Sequence, residues 1–312
     1  GRDIVQNILS GKYFLSFRGG EDIFYFMPGL RYFGALSNIL FGDTSYGYLL
    51  LCTFIPFLIY SFFKLLINER YSIYLFISFI FIPIFENMGF GYFNYIWQFA
   101  RNHAESLSIL LILYSLFKIL KLSKNNNYTI LSSLLIGLAL SYATFLRPNF
   151  FPTTLILYLY LCCLLCCNSQ FVYLLPITFS YSLIFSSFFH NMYFGDDLVF
   201  FTNAYVNFKL NINSFFDGLF ALIYLDFENN NLQIIFSQFL LWNPIYNIHR
   251  IFILIFITIN VLINKQKSFI YVLFLCMISQ HGVLILTHPS SRYAYLAWLL
   301  TIILFFVFEN QH

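Results

Sequence analysis

The stretch YGYLLLCTFIPFLIYSFFKLLI, residues Tyr46 to Ile67, contains one charged side chain, Lys64. A helix needs about 20 consecutive, mostly apolar residues to cross a bilayer, and this stretch has that length and composition. The rest of the chain is similar: 60% of its 312 residues are hydrophobic and 9% are charged, against roughly a quarter charged in soluble domains. The sequence therefore predicts an all-α, polytopic transmembrane helix bundle.

Apolar runs between polar loops predict about nine spans. They are Tyr46–Ile67, Tyr71–Phe85, Ser106–Leu120, Tyr128–Leu146, Phe150–Cys167, Phe171–Phe189, Ile251–Ile263, Ser268–Leu286 and Tyr293–Phe308. We expect residues 1–45 to form an outer-face loop with interfacial helices, and residues 46–312 to form the bundle. A long outer-face connection covers residues 190–250.

Lysines mark one side of this topology. Six of the eight lysines fall in three loops on the same side, namely Lys64, Lys118, Lys121, Lys124, Lys265 and Lys267. By the positive-inside rule that side is the cytoplasm. The opposite face receives 11 of the 13 acids and seven of the eight arginines. The outer arginines either hold a phosphate or carboxylate or simply pair with the outer acids and lipid headgroups.

The N-terminal segment is expected to lie on the outer face. Ile4, Val5, Ile8 and Leu9 recur at helical spacing, in a piece too short to span, which is typical of an interfacial helix. The following GGEDIFYFMPGLRYFGAL, residues 19–36, combines two acids, a Pro-Gly break and several aromatic residues. Aromatic residues of this kind anchor a chain at the membrane interface.

Three polar clusters on this face are candidates for chemistry. The first joins Glu21 and Asp22 to Arg31 and Tyr32. The second is NYIWQFARNHAES, with Arg101, His103 and Glu105, and the third is LTHPSSRY, with His288 and Arg292. Arg147 in FLRPNF lies at the outer end of another span. A carboxylate can act as a general base and an arginine can hold a phosphate, so these groups suit group transfer. No nucleotide-binding or zinc signature and no Gly-x-Ser-x-Gly motif is present, and nothing supports nucleic-acid binding.

The cysteines favour a structural interpretation. CCLLCC places Cys162, Cys163, Cys166 and Cys167 within two turns of one helix. A metal site would use such thiols, but neither histidine nor carboxylate lies nearby in sequence. We therefore interpret these residues as small, lipid-compatible side chains.

The order of features resembles the membrane glycosyltransferases of the GT-C class, and in particular the bacterial sugar and mannosyl transferase-like integral membrane proteins. The match is most specific in MPGLRYFGALSNILFGDTSYGYLL, Met27 to Leu50, and extends to LRPN at 146–149 and HPSSRY at 288–293. It implies an enzyme of the bacterial inner membrane with its active face outward. Such an enzyme moves a sugar from a polyprenyl-phosphate donor to a lipid, glycan or protein acceptor.

The resemblance also implies roles for individual residues. Asp22, Glu21 and Asp3 are the candidate catalytic acids, although the family's leading acidic motif lies upstream of the helix that begins here at Gly1. We therefore expect that the chain is truncated at its N-terminus. The candidate substrate-binding residues are Arg31, Tyr32, Arg101, His103, Arg147, His288 and Arg292. No cofactor is assigned, and the sequence leaves open whether a divalent metal assists.

Other functions stay open at this point. A flippase or transporter of lipid-linked glycans would need polar groups deep within its spans, and Gln280 and His281 lie within a late span. A glycan polymerase would share the topology and the outer arginines. A non-catalytic membrane component is the remaining alternative.

Overall fold

The computed structural model describes residues 1–81, 96, 103–200, 212–239, 244–263, 267–286 and 291–309. Every regular element among them is a helix, and none of them forms a strand. The predicted all-α class is therefore confirmed for this part of the chain. Two compact units are present. Unit one contains the described residues up to 200, and unit two contains those from 212 onward.

Ten helices lie among the described residues of unit one. They are α1 Arg2–Leu9, α2 Tyr13–Phe17, α3 Gly29–Phe41, α4 Tyr46–Leu66, α5 Glu69–Phe81, α6 Ala104–Asn125, α7 Ile130–Leu146, α8 Phe151–Cys167, α9 Leu174–Ser182 and α10 Ser186–Gly195. Short 3-10 turns at Pro148–Phe150, Phe171–Tyr173 and Leu183–Phe185 precede the last three.

Unit two contains five helices within its described residues. They are α11 Ile212–Ile223, α12 Asn230–Phe239, α13 Pro244–Ile263, α14 Ser268–Leu286 and α15 Ser291–Glu309. α14 and α15 pack along each other, and α13 packs on both. Buried between α14 and α15, Nε2 of His281 lies 3.0 Å from Oγ1 of Thr301. This unit therefore contains polar groups well inside an apolar helix pair.

Four helical stretches are long and apolar enough to cross a membrane, among the residues that the structure describes. They are Tyr46–Leu66, Ala104–Asn125, Pro148–Cys167 and Phe171–Gly195, and all belong to unit one. Four of the nine predicted spans coincide with them. The remaining predicted spans lie on shorter apolar helices, or extend into residues outside the described ranges. The fold is thus compatible with an integral membrane protein, and nine spans stay a prediction.

α6 lies at the centre of unit one. It packs on α4 on one side and on α7 on the other, and Ile112, Leu116 and Ile119 have no exposed surface. A helix that is apolar on most of its faces has to be enclosed by neighbours. α6 therefore fixes the positions of the helix ends around it.

Close approach of α7 and α9 depends on a glycine. A Cβ atom at Gly137 would come within 2.0 Å of the Ser180 hydroxyl and 2.8 Å of the Ile177 carbonyl oxygen. Small residues at such crossings allow two apolar helices to approach closely, which is how helices pack in membranes. The pair forms one wall of the bundle.

The connections divide into two ends of unit one. At the first, Lys64 pairs with Glu69, the Lys124 ammonium donates to the Leu65 carbonyl, and Asn168 donates to the Tyr128 hydroxyl. We call this the lysine end. At the other, the N-terminal segment meets the C-terminal end of α7 and α10, and we call it the arginine end because Arg18, Arg31 and Arg147 lie there.

Candidate functional site

A tight reversal brings the acidic residues back onto the bundle. α2 ends at Phe17, and Gly19 and Gly20 then adopt positive φ angles of 63° and 87°, which side chains with a Cβ seldom adopt. A Cβ at Gly19 would also lie 3.2 Å from the Tyr32 hydroxyl. We call Arg18–Phe24, which contains this reversal, the acidic segment.

Asp22, a predicted catalytic acid, forms an ion pair with Arg18, four residues earlier in the chain. The guanidinium donates from Nε to Oδ1 at 2.5 Å and from Nη2 to Oδ2 at 2.7 Å. This bidentate bond lowers the pKa of Asp22 below its ordinary value. Both side chains are more than two-fifths exposed, so the pair lies in contact with solvent.

Glu21 occupies a more enclosed position. One carboxylate oxygen accepts from Nη2 of Arg31 at 2.5 Å, and the other accepts from the Tyr25 amide at 3.0 Å. Nη1 of Arg31 also donates to the Gly19 carbonyl at 3.1 Å. Partial burial raises the pKa of Glu21, but the bonds from Arg31 and Tyr25 outweigh burial, so the net pKa is lowered.

Tyr32 follows Arg31 and joins the end of α2, just before the acidic segment, to the interior. Its hydroxyl donates to the Phe17 carbonyl at 2.6 Å, and its ring stacks toward Phe145 of α7 with centroids 6.3 Å apart. Burial raises the pKa of Tyr32 to about 12. The hydroxyl therefore stays protonated at neutral pH and acts as a donor.

Arg147 and Glu105 form the most enclosed ion pair at the arginine end. Nη2 of Arg147 lies 2.6 Å from Oε1 of Glu105, whose side chain is 0% exposed. Glu105 is in the first turn of α6, and Arg147 directly follows α7. Pro148 ends that helix and begins the 3-10 turn, which holds Arg147 beside the start of α6. Buried charges are retained in proteins when they are paired.

An apolar cavity of about 840 Å³ lies on the lysine side of this pair, within unit one. Residues of α3, α4, α6, α7 and the turn into α10 line it, including Tyr32, Leu110 and Tyr142. The Tyr142 hydroxyl donates to the Gly29 carbonyl at 2.8 Å, so this side chain links α7 to the start of α3 beside the cavity. Along α6, Glu105 precedes Leu110 by five residues, or about 8 Å.

A second polar contact fastens the acidic segment to α10. The side chain of Asn191 is fully buried; its Oδ1 accepts from the Phe24 amide at 3.0 Å, and its Nδ2 donates to the Val199 carbonyl at 2.8 Å. His190 beside it stacks on the Phe24 ring, with centroids 3.8 Å apart. Neither residue was predicted as part of the site, because sequence gives no sign that positions 167 residues apart meet.

The structure brings some predicted residues together and leaves others apart. Glu21, Asp22, Arg31 and Tyr32 lie together, and Arg147 lies at the same end of unit one beside Glu105. The sequence grouped Glu105 with Arg101 and His103 and did not pair it with Arg147. Asp3 is exposed in the first turn of α1, while its neighbour Arg2 pairs with Asp43 at 2.6 Å.

The remaining predicted site residues are His103, Arg101, His288 and Arg292. His103 directly precedes α6 and is half-buried. Arg101 and His288 lie outside the described residues. Arg292 belongs to the first turn of α15 in unit two, and its side chain is also outside the described part.

Within the described ranges, no group of three or more His, Cys, Asp or Glu residues lies close enough to hold a metal ion. Cys163, Cys166 and Cys167 are free and exposed on the outer surface of α8, and Cys162 is partly covered. Side chains of this size are compatible with a lipid-facing helix surface.

Fold and site together define an all-helical protein with candidate membrane-spanning helices and a polar cluster of arginines and acids at one end. No family model, curated protein or solved structure matched the chain. The chemistry of the site therefore has to be argued from its geometry.

Proposed function

We propose that the protein is a membrane glycosyltransferase of the GT-C type, with about nine spans in the bacterial inner membrane. It moves a sugar from a polyprenyl-phosphate donor to a lipid, glycan or protein acceptor at the outer face. The observation that carries this proposal is the apolar cavity of about 840 Å³ that ends beside the arginine end of unit one. Pockets of roughly 300–1,000 Å³ suit organic ligands, and this one suits a hydrocarbon chain.

The two parts of the site match the two parts of such a donor. Isoprenoid units carry no polar groups, and the cavity walls are almost entirely hydrocarbon and aromatic. A phosphate at the end of the chain needs cationic donors, and Arg31 and Arg147 lie at that end. Arginine binds phosphate through parallel N–H donors. The side chain of Arg147 is 24% exposed, so it is only partly enclosed together with Glu105.

Among the acids, Glu21 is the best-placed candidate base. It shares Arg31 with the proposed phosphate site and lies in the segment that packs against Tyr32, which lines the cavity. Its lowered pKa keeps it ionised near neutral pH, as a proton acceptor must be, at the cost of basicity. An acceptor hydroxyl would have to displace part of its bond to Arg31. Asp22 and an acid upstream of Gly1 stay alternative bases.

Transfer by the full chain in proteoliposomes tests the reaction. The donors are a panel of polyprenyl-phosphate sugars, and the variants are Arg31→Lys and Arg147→Lys, with Arg2→Lys as the matched control in an exposed pair. We expect at least about tenfold slower transfer for the two site variants, because lysine loses the bidentate bond. Wild-type protein that transfers no sugar from the panel would contradict the reaction. Full transfer by both site variants would contradict the phosphate assignment alone.

Filling the cavity tests separately whether the cavity binds the isoprenoid chain of the donor. Ala139 lines the cavity, so Ala139→Phe reduces its volume, whereas Leu159→Phe adds a similar ring to an exposed position on α8. We expect weaker binding of polyprenyl phosphate, measured by native mass spectrometry, only for the first variant. Equal binding by the two variants would show that the isoprenoid chain of the donor does not bind in this cavity.

One observation favours the transporter alternative. His281 and Thr301 hydrogen-bond in the interior of unit two, and Gln280 beside them is also buried. Intramembrane polar groups often line a substrate pathway. Movement of a fluorescent lipid-linked glycan across a vesicle membrane, without sugar transfer and with loss in Thr301→Val, would favour the transporter over the transferase.

A further inference from the structure

One side of α6 stays partly uncovered between the cavity and the lysine end. Leu111, Tyr114, Lys118 and Lys121 follow one another at intervals of three or four residues, so they lie on the same side of the helix. Lys121 is exposed and the other three are half-buried, whereas α4 and α7 pack on the flanks of the helix. These four residues, which we call the α6 strip, extend over about 15 Å.

The first half of the α6 strip belongs to the cavity. Leu111 and Tyr114 line the cavity wall, together with residues of α4 and α7 that include Phe54 and Leu138. Phe54 and Leu138 are both at least two-fifths exposed. The cavity is therefore open to the surroundings of unit one, and the surroundings of a membrane-spanning helix are lipid chains.

The second half of the α6 strip carries two cations. Nζ of Lys118 lies 5.6 Å from the centroid of the Tyr114 ring, which is within the roughly 6 Å range of a cation–π contact. Lys121 follows one turn later and is exposed. A lysine stem can lie along apolar surface while its ammonium group stays at the polar edge. The strip thus joins an open apolar cavity to a pair of lysines.

The charge of these two lysines is not balanced by acids of the lysine end. The three connections at this end contain one acid in their sequence, Glu69, and it pairs with Lys64. Neither Lys118 nor Lys121 forms an ion pair within the described residues. The basic residues at this end are Lys64, Arg70, Lys118, Lys121 and Lys124. Such a surplus of positive charge beside a membrane attracts anionic lipid headgroups.

We propose that the α6 strip binds an anionic phospholipid of the leaflet that the lysine end faces. Lys118 and Lys121 hold the phosphate of the headgroup, and one acyl chain lies on Tyr114 and enters the cavity beside Leu111. The inference does not require the proposed transfer reaction, because these lysines lie at the opposite end of unit one from the arginines of that site.

Native mass spectrometry of the full chain in detergent tests the headgroup. The probes are phosphatidylglycerol and phosphatidylcholine with the same dioleoyl chains, so that they differ in headgroup charge. We expect the wild-type protein to bind phosphatidylglycerol at least about tenfold more tightly, because each lysine near the headgroup contributes roughly fivefold. Equal binding of the two lipids overturns the proposal, whether or not any variant folds. Displacement of the bound lipid by excess inorganic phosphate also overturns it, since the site would then recognise phosphate without the acyl chain.

Single substitutions separate the α6 strip from the general charge of the lysine end. Lys118→Gln and Lys121→Gln should each reduce the preference for phosphatidylglycerol about fivefold. Arg70→Gln is the matched control, because it removes one exposed cation from the same end on α5, which contributes no residue to the described cavity wall. It should change the preference less than about twofold. Equal losses in all three variants, or an undiminished preference in both lysine variants, overturn the proposed site.

A photoreactive lipid locates the acyl chain. The probe is phosphatidylglycerol with a diazirine at the end of one chain, added to the full chain in nanodiscs. We expect most crosslinks in peptides that contain the cavity wall, residues 110–114 of α6 and 135–139 of α7. Peptides that contain Leu159, which is exposed on α8, report contact with bulk lipid. Crosslinking of the cavity wall that does not exceed crosslinking at Leu159 overturns the proposed course of the chain.

Discussion

Four arginines of unit one are each seen beside a carboxylate, yet their surroundings differ widely. Arg2 and Asp43 are mostly exposed, Arg18 and Asp22 are about half-exposed, Arg31 and Glu21 are about two-thirds covered, and Glu105 beside Arg147 is completely enclosed. Water screens an exposed pair, so it contributes about 0–1 kcal/mol. A buried pair depends on both partners being present. The four arginine–carboxylate pairs therefore contribute unequally to the stability of the protein.

Arg147→Met should destabilise the protein strongly. The change leaves the carboxylate of Glu105 enclosed without its cation, and breaking a buried pair in this way costs about 3–5 kcal/mol. Arg2→Met, in the exposed pair with Asp43, should cost less than about 1 kcal/mol. Unfolding in a mixed detergent series, followed by circular dichroism, measures both changes. Equal stabilities of the two variants would contradict the enclosed environment of Glu105.

Acid should loosen the acidic segment through Glu21. Its pKa is lowered in the folded protein, so the stabilisation is complete above the ordinary glutamate value of about 4.3 and is lost as pH falls through the folded value. Glu21→Gln should remove this acid-dependent step. Exchange protection of the Phe24 peptide between about pH 2.5 and 5 reports it. An unchanged acid step in Glu21→Gln would assign the loosening to Asp22 instead.

The sequence indicated which residues belong to the candidate site better than it indicated which of them pair with each other. Glu21, Asp22 and Arg31 lie within eleven residues, so one short reversal brings them together. Glu105 and Arg147 are 42 positions apart, and their pairing depends on α6 and α7 packing side by side. His190 was beyond prediction because it reaches the segment through a backbone carbonyl, which leaves no residue-type signal.

At the scale of elements, α3 docks on the C-terminal end of α7 without room for a side chain. A Cβ at Gly29 would lie 2.7 Å from the backbone oxygen of Phe145, which cannot rotate away. Gly34 belongs to the same helix, and a Cβ there meets no atom within 4 Å. The two positions provide a matched comparison within one element.

Gly29→Ala should displace α3, whereas Gly34→Ala should not. We expect destabilisation of about 1–3 kcal/mol for the first, by analogy with overpacked cores, and a gain of up to about 1 kcal/mol for the second from helix propensity. Thermal unfolding in detergent compares the two. Gly29→Ala with stability at or above that of Gly34→Ala would show that α3 does not pack closely on α7.

Helix limits were predictable where polar residues interrupt an apolar run. The residues between α6 and α7 include Asn126 in a left-handed conformation and Thr129, whose side chain caps α7 reciprocally with Ser132. The expected count of nine spans relied on hydropathy alone. Hydropathy does not measure helix length: α7 has 17 residues, at the lower limit of about 17 for a span, and α5 has 13 described residues, below that limit.

At the scale of the whole molecule, most lysines and most arginines of unit one lie at opposite ends, with Lys12 and Arg70 as exceptions. α4, α6 and α8 run from the arginine end to the lysine end, and α7 returns, so successive loops alternate between the two ends. Lysines collect at one end, as the positive-inside rule predicts for an end that faces the cytoplasm. Arginines paired with acids occupy the other end, where net charge is small.

This separation predicts the orientation in the membrane, which cysteine labelling tests in a background without the six native cysteines. Tyr25→Cys reports the arginine end and Asn127→Cys the lysine end, and both positions are exposed. A membrane-impermeant maleimide added to intact spheroplasts should label the first, and should label the second only after permeabilisation, because lysine-rich loops stay cytoplasmic. The reverse pattern would place the arginine end in the cytoplasm. The phosphate site would then receive its donor from the inner leaflet, and sugar transfer at the outer face would be ruled out.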